Sequence, residues 1–263
     1  MVSLREGLQL KEGGIVSLVG AGGKTSLMFR LARELSQAGE TVLTTTTTKI
    51  YEPSADQAAS VIVTESVSEL LTQACDRLKH HRHICAAAGR QPDQGKFIGL
   101  QPDVIEQIWN SHLFQWIIVE ADGAAGRTLK APADHEPVIP AGTHHVVGLV
   151  GLNGVDQPLT DQWVFRQAHF SQVTGLRPGW AVTASAIADV LIHPKGIFKN
   201  SPPAAVRTVF CNQADAAEKL QAGRRIAQIL LKRENTGLKR IVIGQALFEP
   251  PVLAYYNLDN PQV

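Results

Sequence analysis

The chain has 263 residues, of which 44% are hydrophobic and 19% are charged, and its formal net charge is +1. This composition is typical of a folded protein long enough for one large α/β domain or two small ones. The near-zero net charge argues against nucleic-acid binding through a cationic surface. The N-terminus does not resemble a signal peptide, and no apolar run is long enough to span a membrane. The three cysteines are scattered along the chain. We therefore expect a cytoplasmic protein without membrane contact.

Apolar runs of strand length alternate with segments of helical periodicity along the chain. This alternation is typical of a mostly parallel sheet flanked by crossover helices, an α/β fold. The predicted strands lie at 15–20, 41–47, 60–63, 83–89, 116–119, 144–152, 206–211 and 239–246, the last being the final strand. The predicted helices lie at 25–39, 66–79, 102–112, 160–170, 183–192 and 216–233. Ser66 with Glu69 three residues later predicts a capping box at the second helix.

No internal repeat and no linker rich in Gly, Ser or Pro divides the chain. We therefore expect a single domain over 1–263, and leave open a small helical insert or lid at about 155–205.

A glycine-rich loop directly follows the first predicted strand and leads into the first long helix. Glycines let backbone N–H groups close on phosphates, the lysine adds positive charge, and the threonine hydroxyl is suited to Mg²⁺. The spacing GxxGKT is shorter than the usual loop and resembles that of the Mur-ligase group, while the dinucleotide motif GxGxxG fails because its last glycine would fall on Thr25. The sequence thus predicts the fold of P-loop nucleoside triphosphate hydrolases. The predicted nucleotide-binding residues here are Gly20, Ala21, Gly22, Gly23, Lys24, Thr25 and Ser26.

Two acidic residues, Glu120 and Asp122, follow the buried strand at 116–119. P-loop enzymes need a carboxylate at such a strand tip to hold Mg²⁺. Residues two apart on an extended chain point to the same side, so both carboxylates can be directed toward the metal. The competing interpretation is a plain Asp-Gly turn. We predict Glu120 and Asp122 to be catalytic with Lys24 and to be metal ligands with Thr25.

Charged side chains continue after the acidic pair. Arg127 and Lys130 are suited to phosphate or an acidic substrate, and His135 or Glu136 to proton transfer. A solvated loop tip explains the same residues equally well. These four residues are candidates for contact with a substrate or partner.

The stretch Asn212-Gln213-Ala214-Asp215 follows a late strand and is similar to the N-K-x-D element that reads guanine. A carboxylate at Asp215 can accept two hydrogen bonds from guanine, which adenine cannot offer. Gln213 replaces the usual lysine, and a strand end with a helix cap is the alternative. Asn212 and Asp215 are therefore candidate base readers, and ATP versus GTP stays open.

Five consecutive threonines, 44–48, suit a strand because threonine is β-branched. Ligands of open α/β sheets gather at the carboxyl ends of strands. We therefore expect Thr44 and Thr45 to be structural, and Thr47, Thr48 and Lys49 to lie near the γ-phosphate or its metal.

The stretches GAGGKTS, TTTTTK, GKFIGL, VEADGAAGRTLKAPADHEPVIP, GLVGLNGV, HPKG and NQAD occur in this order, and with them the chain resembles the YqeC family. Members of that family are regarded as accessory proteins of selenium-dependent molybdenum hydroxylases. The resemblance implies a P-loop fold and a role in maturing a selenium-containing molybdenum cofactor, with a cofactor intermediate or a hydroxylase-maturation protein as partner.

Three functional hypotheses follow. The first is a magnesium-dependent NTPase that acts in cofactor maturation, with Mg²⁺ and ATP or GTP as ligands. The second is an ATP-dependent ligase or kinase with a Mur-like loop. The third is a nucleotide-gated chaperone with negligible turnover.

Overall fold

Strands and helices alternate along the chain, which a computed structural model describes over residues 1–258. The strands are β1 (Gly14–Gly20), β2 (Val42–Thr46), β3 (Lys49–Tyr51), β4 (Val61–Val63), β5 (His83–Ala87), β6 (Gly89–Gln91), β7 (Lys96–Ile98), β8 (Trp116–Glu120), β9 (Leu129–Lys130), β10 (His145–Gly151), β11 (Val164–Phe165), β12 (Val206–Asn212), β13 (Arg240–Gly244) and β14 (Val252–Asn257). The helices are α1 (Leu4–Gly7), α2 (Lys24–Gln37), α3 (Val67–Arg77), α4 (Pro102–Asn110), α5 (Gln167–Thr174), α6 (Ala184–Ile192) and α7 (Ala217–Leu231).

Nine strands form one sheet in the order β14-β13-β12-β10-β1-β8-β2-β5-β4. All neighbouring pairs are parallel except β13 with β14, which is antiparallel. The predicted α/β fold with a mostly parallel sheet is confirmed. Strand β1 lies in the middle, and the chain crosses over β8 to reach β2, so the crevice at the carboxyl end of β1 is the expected ligand position in such a sheet.

Two apolar cores lie on opposite faces of this sheet because its strands alternate their side chains between faces. One core contains Leu27, Leu31 and Leu35 of α2, which form the stripe predicted from the sequence, together with α1. The other core contains the apolar faces of α3, α4, α5, α6 and α7. None of the helices within residues 1–258 combines the length and the apolar character that a membrane span needs.

Two predicted elements differ from the observed ones. The prediction of a helix at 160–170 is wrong in its first half. Val164–Phe165 pairs with Leu129–Lys130 as a two-stranded parallel sheet, and α5 begins only after this strand. The strand predicted as the final one, at 239–246, is β13, and a further strand follows it. After two consecutive prolines, 250–251, the chain turns back and adds β14 to the edge of the sheet.

The capping box predicted for α3 is only half formed. Ser66 accepts a hydrogen bond from the Glu69 N–H at 3.3 Å, as predicted. The Glu69 carboxylate instead accepts from the Thr64 hydroxyl at 2.7 Å. The Ser66 N–H donates to that same Thr64 hydroxyl at 3.2 Å, so Thr64 takes the place of the direct reciprocal bond.

The segment at 155–205 contains β11, α5 and α6 and packs on the main sheet. Phe170, Ile187 and Phe198 belong to the same apolar cluster as Ile15 of β1. The single domain over 1–263 stays a prediction, and its last five residues, 259–263, lie outside the described part of the chain.

The central strand β8 provides a stability test. Ile118 is fully buried in β8, whereas Ile98 on β7 is 42% exposed. We expect Ile118→Ala to lower the free energy of unfolding by about 2–5 kcal/mol, because it leaves a cavity in the core. Ile98→Ala, the matched control, should change it by no more than about 0.5 kcal/mol. Urea denaturation followed by circular dichroism measures both, and equal effects would contradict the assigned burial.

Candidate functional site

The carboxyl ends of the central strands meet at one edge of the sheet. In the β1–β8 register Leu18 lies beside Glu120, and in the β10–β12 register Gly151 lies beside Asn212. The glycine loop leaves β1 at this edge. The predicted phosphate loop, acidic pair and base-reading stretch are therefore neighbours, although Gly22 and Asn212 are 190 residues apart in the sequence.

The glycine loop has backbone geometry that requires glycine. Gly22 and Gly23 have φ values of 90° and 113°, in the left-handed region. A Cβ on Gly22 would lie 2.4 Å from the Gly151 nitrogen, and one on Gly23 would lie 2.4 Å from Asn212 Nδ2. Any other residue would push the loop away from both neighbours.

The helix that follows the loop begins without a side-chain cap. The N-cap of α2 is Gly23, which has no side chain to accept a hydrogen bond from the first turn of the helix. Within the described chain, the backbone N–H groups of Gly23, Lys24, Thr25 and Ser26 donate to no protein acceptor. Four N–H groups at a helix N-terminus, with the positive end of the helix dipole, are suited to binding a phosphate.

Lys24 is buried, with 4% of its surface exposed, and its ammonium group turns back over the loop. Nζ donates to the Gly20 carbonyl at 2.7 Å and lies 3.1 Å from Asp122 Oδ1 and 3.8 Å from Glu120 Oε1. Burial works to lower the pKa of Lys24, but the charges of Asp122 and Glu120 outweigh it, so the net shift is upward. Lys24 therefore stays charged where phosphates would approach.

Thr25 and the acidic pair form the second part of this site. The Thr25 hydroxyl donates to Glu120 Oε2 at 2.7 Å. Burial raises the pKa of Glu120, and Lys24 and the Thr25 hydroxyl only partly offset this effect. Asp122 Oδ2 accepts from the Gly20 N–H at 3.1 Å, while Oδ1 makes no hydrogen bond and contacts Lys24 only as an ion pair.

These oxygens are suited to Mg²⁺. The Thr25 hydroxyl and the two carboxylates are hard oxygen donors, and the Asp122 Oδ1 is a buried acceptor without a hydrogen bond. Within the described chain, no group of three or more His, Cys, Asp or Glu could hold a metal by itself. A magnesium ion held here would thus need further oxygens, such as those of phosphates and water, as is usual for this ion.

A chain of ion pairs extends from Asp122 away from the loop. Lys130 Nζ lies 2.9 Å from Asp122 Oδ2, and it donates to the Gly123 carbonyl at 2.6 Å and to Glu136 Oε2 at 3.0 Å. The three ammonium protons of Lys130 thus have three protein acceptors. Arg166 then pairs with Glu136 Oε1 at 3.0 Å. This geometry favours a positioning role for Lys130 and Glu136 over direct contact with a substrate.

The base-reading stretch divides into two parts. Asn212 is buried; its Nδ2 donates to the Gly22 carbonyl at 2.7 Å and its Oδ1 accepts from the Ala246 N–H at 2.9 Å. Asn212 therefore ties the glycine loop to the loop after β13. Asp215 is exposed and pairs with Lys219 at 2.6 Å, one helical turn further on.

The threonine run is mainly structural. Thr44 bonds with His83 Nε2 at 2.9 Å and Thr45 donates to the Ala86 carbonyl at 2.9 Å, which confirms the structural interpretation of these two. Thr47 donates to the Val138 carbonyl at 2.7 Å, and Thr48 lies 3.2 Å from the Thr46 hydroxyl. Neither hydroxyl is directed to the carboxylates of the acidic pair, so their metal role stays a prediction.

The remaining candidates lie around this centre. Lys49 and His135 are exposed. The Arg127 carbonyl accepts from the Gly22 N–H at 3.2 Å, but its guanidinium bonds to the carbonyls of Ala125 and Asp161. The structure thus brings together Lys24, Thr25, Glu120, Asp122, Lys130, Glu136 and Asn212, and leaves Lys49, His135 and Asp215 at the surface.

Two contacts of this site were not predicted. Arg166 lies in the 155–205 segment and completes the ion-pair chain, 30 residues from Glu136. Ala246 contributes only its backbone N–H to Asn212. No local pattern marks either contact, because both depend on the pairing of distant strands.

A strand, a glycine loop with Lys-Thr at the start of a helix, and a carboxylate at the neighbouring strand tip define the P-loop class of α/β proteins. The family model described as YqeC protein matches residues 16–168. The YqeC protein of Escherichia coli (strain K12) is 33% identical over 224 residues, which cover 85% of each chain. The chain therefore belongs to the YqeC family.

Two solved structures share a distant likeness with the chain. FtsY from Mycoplasma mycoides has a TM-score of 0.39 and 15% identity, covering 96% of this chain and 67% of that chain. The signal recognition particle 54 kDa protein from Aeropyrum pernix K1, in complex with GDP, has a TM-score of 0.39 and 16% identity. That match covers 89% of this chain and 42% of the other.

Glu136 provides a pH test of the ion-pair chain. Burial works to raise its pKa, but Lys130, the Ala133 N–H and Arg166 together hold it below the ordinary value of 4.5. A carboxyl whose pKa is lower in the folded state stabilises the protein above its unfolded pKa and loses this effect as the pH falls through the folded pKa. Glu136→Gln should thus be less stable than wild type at pH 7, with a gap that narrows below about pH 4.5. Urea denaturation between pH 7 and pH 3 measures this gap, and a constant gap would contradict the ion pairs.

Proposed function

We propose that this protein binds a nucleoside triphosphate with magnesium at the glycine loop and hydrolyses it. The observation that carries this proposal is the start of α2, where four N–H groups without protein acceptors lie beside Lys24 and the hydrogen-bonded pair Thr25–Glu120. Backbone donors, a buried cation and oxygen ligands for a metal are the three features that phosphoryl transfer requires.

Each residue has a role in this proposal. Lys24 moves from the acidic pair to the β- and γ-phosphates, which are stronger partners because they carry more charge. Thr25 and one carboxylate of the pair would hold the metal, which when bound would neutralise charge that develops on the phosphates. Burial raises the pKa of Glu120, a direction that suits a proton acceptor for an attacking water or hydroxyl.

The contacts of Asn212 support a binding site for the nucleotide base next to the phosphate loop. By bonding both to Gly22 and to Ala246, Asn212 fixes the loop after β13 relative to the phosphate loop. Asp215 lies three residues later with an exposed carboxylate. We propose that Asp215 exchanges its pairing with Lys219 for the base of GTP, so that GTP binds more tightly than ATP.

In the cell, we propose that nucleotide hydrolysis supports maturation of a selenium-containing molybdenum cofactor for selenium-dependent hydroxylases. This part of the proposal is supported by membership of the YqeC family and by what the resemblance implies. The partner would be a cofactor intermediate or a hydroxylase-maturation protein.

Two alternatives have specific support. The short GxxGKT loop favours an ATP-dependent ligase or kinase, since Mur-like loops serve transfer to an acceptor. The pairing of Lys24 with two carboxylates favours a nucleotide-gated chaperone, because breaking these contacts on nucleotide binding couples binding to a local rearrangement.

Lys24 provides the test of hydrolysis. Lys24→Ala should reduce NTP hydrolysis by at least about a hundredfold, because it removes the cation next to the transferred phosphate. Release of inorganic phosphate measures the rate, and circular dichroism checks that the variant is folded. Lys11→Ala, which removes an exposed lysine, is the control and should be unchanged. Undiminished hydrolysis in Lys24→Ala would contradict the proposal.

Product analysis separates the enzymatic alternatives. An NTPase transfers the phosphate to water. A kinase transfers it to an acceptor, and a ligase uses it to activate an acceptor. Tight nucleotide binding without hydrolysis, even with partners present, would favour the chaperone.

Asp215 provides the test of base preference. Asp215→Asn should weaken GTP binding by about tenfold or more and improve binding of xanthosine triphosphate, since the amide matches the xanthine edge. Glu218→Gln, which removes another exposed charge at the start of α7, is the control. Calorimetric titration measures the affinities, and unchanged GTP affinity would rule Asp215 out as the base reader.

A further inference from the structure

A cavity lies outside the candidate nucleotide site, between the segment 132–134, helix α5 and the turn after α6. Its volume is about 590 Å³, within the usual range of small-molecule pockets. The side chains that line it include His169, His193, Lys195, Lys199 and Asp134. We call it the histidine–lysine cavity.

The charge of this cavity is predominantly positive. Lys195 and Lys199 provide two ammonium groups and the two histidines provide ring N–H donors, against the single carboxylate of Asp134. The lining therefore has an excess of positive charge even when both histidines are neutral. Such a lining favours small molecules with more than one negative charge.

Two of these side chains are fixed by hydrogen bonds. Lys199 Nζ donates to the Ala133 carbonyl at 3.1 Å and to the Asp134 carbonyl at 2.6 Å, which leaves one ammonium proton for a ligand. His193 Nδ1 accepts from the Lys195 N–H at 3.0 Å. Because Nδ1 is the acceptor, the ring proton is on Nε2, which is a donor. Preorganised donors of this kind reduce the entropy cost of binding.

The negative end of the α6 dipole opposes anion binding here, but the turn after α6 reduces its effect. The Ile197 N–H donates to the Val190 carbonyl at 3.0 Å and the Gly196 N–H donates to the His193 carbonyl at 2.7 Å. A Cβ on Gly196 would lie 2.0 Å from the Val190 oxygen, so only glycine allows this turn. Two of the terminal carbonyls are thus directed to protein donors, while Lys195 is exposed at the cavity.

The cavity wall is connected to the nucleotide site. The Ala133 N–H donates to Glu136 Oε2 at 3.3 Å, and Glu136 pairs with Lys130, which contacts Asp122. The Asn200 amide also donates to the Pro137 carbonyl at 3.1 Å. A ligand that contacts Lys199 therefore lies against the segment that holds the ion-pair chain.

We propose that the histidine–lysine cavity binds a small dianion, either a phosphate ester or a dicarboxylate, as the second substrate of the nucleotide-dependent reaction. The role as second substrate depends on the function proposed above. The binding of the anion itself does not, since it requires neither Lys24 nor the glycine loop.

The experiment uses inorganic pyrophosphate and succinate as probes of the Lys24→Ala protein, in which the phosphate loop is impaired. Calorimetry measures affinity, and the histidine C2–H resonances report contact with His169 and His193. We expect saturable binding that shifts these resonances. Adding Lys195→Ala should weaken binding by about tenfold, because it removes a charged donor. Adding Lys11→Ala should leave binding unchanged.

The outcomes separate the possible ligands. Preference for pyrophosphate identifies a phosphate-bearing substrate, and equal or better binding of succinate identifies a dicarboxylate. Absence of saturable binding, or equal effects of Lys195→Ala and Lys11→Ala, would overturn the proposal. The same comparison in the wild-type background tests the cavity if Lys24→Ala is unstable. If the NTPase proposal fails but this one holds, the wild-type protein will not hydrolyse nucleotide and will still bind the anion.

Discussion

Asp122 lies between two buried ammonium groups, and the arrangement of the whole site depends on this contact. Lys24 is 3.1 Å from one of its oxygens and Lys130 is 2.9 Å from the other. Removing one member of a buried ion pair is costly, typically about 3–5 kcal/mol, because the remaining charge is left without a partner. The two lysines and Asp122 must therefore fold together, and this requirement fixes the glycine loop, the tip of β8 and the short strand β9 relative to one another.

The cluster around Asp122 is electrically balanced. Lys24, Lys130 and Arg166 carry three positive charges, and Glu120, Asp122 and Glu136 carry three negative ones. A polyphosphate and its metal would enter a site where the charges already compensate each other. Binding must then redistribute the contacts of Lys24, and the ion-pair chain gives this change a physical route toward Arg166 and α5. Arg166 lies in the 155–205 segment, so this chain of contacts joins the glycine loop to that segment.

Local features of the sequence predicted the parts of the site that lie on one element. The glycine loop was evident because strand, loop and helix start are contiguous, and Glu120 with Asp122 was evident because both end one buried strand. The contacts of Lys130 with Asp122 and Glu136 were not predictable, since the same residues fit a solvated loop. They became buried because β9 pairs with β11 and folds the loop back onto the sheet. The same pairing explains why the helix expected at 160–170 begins later.

The most direct test is a calorimetric titration of the wild-type protein with ATP and with GTP, with and without magnesium. We expect saturable binding of at least one nucleotide, strengthened by magnesium, because Thr25 and the acidic pair would share the metal with the phosphates. Absence of binding by both nucleotides, in the presence of magnesium and with the protein folded, would contradict the proposed function.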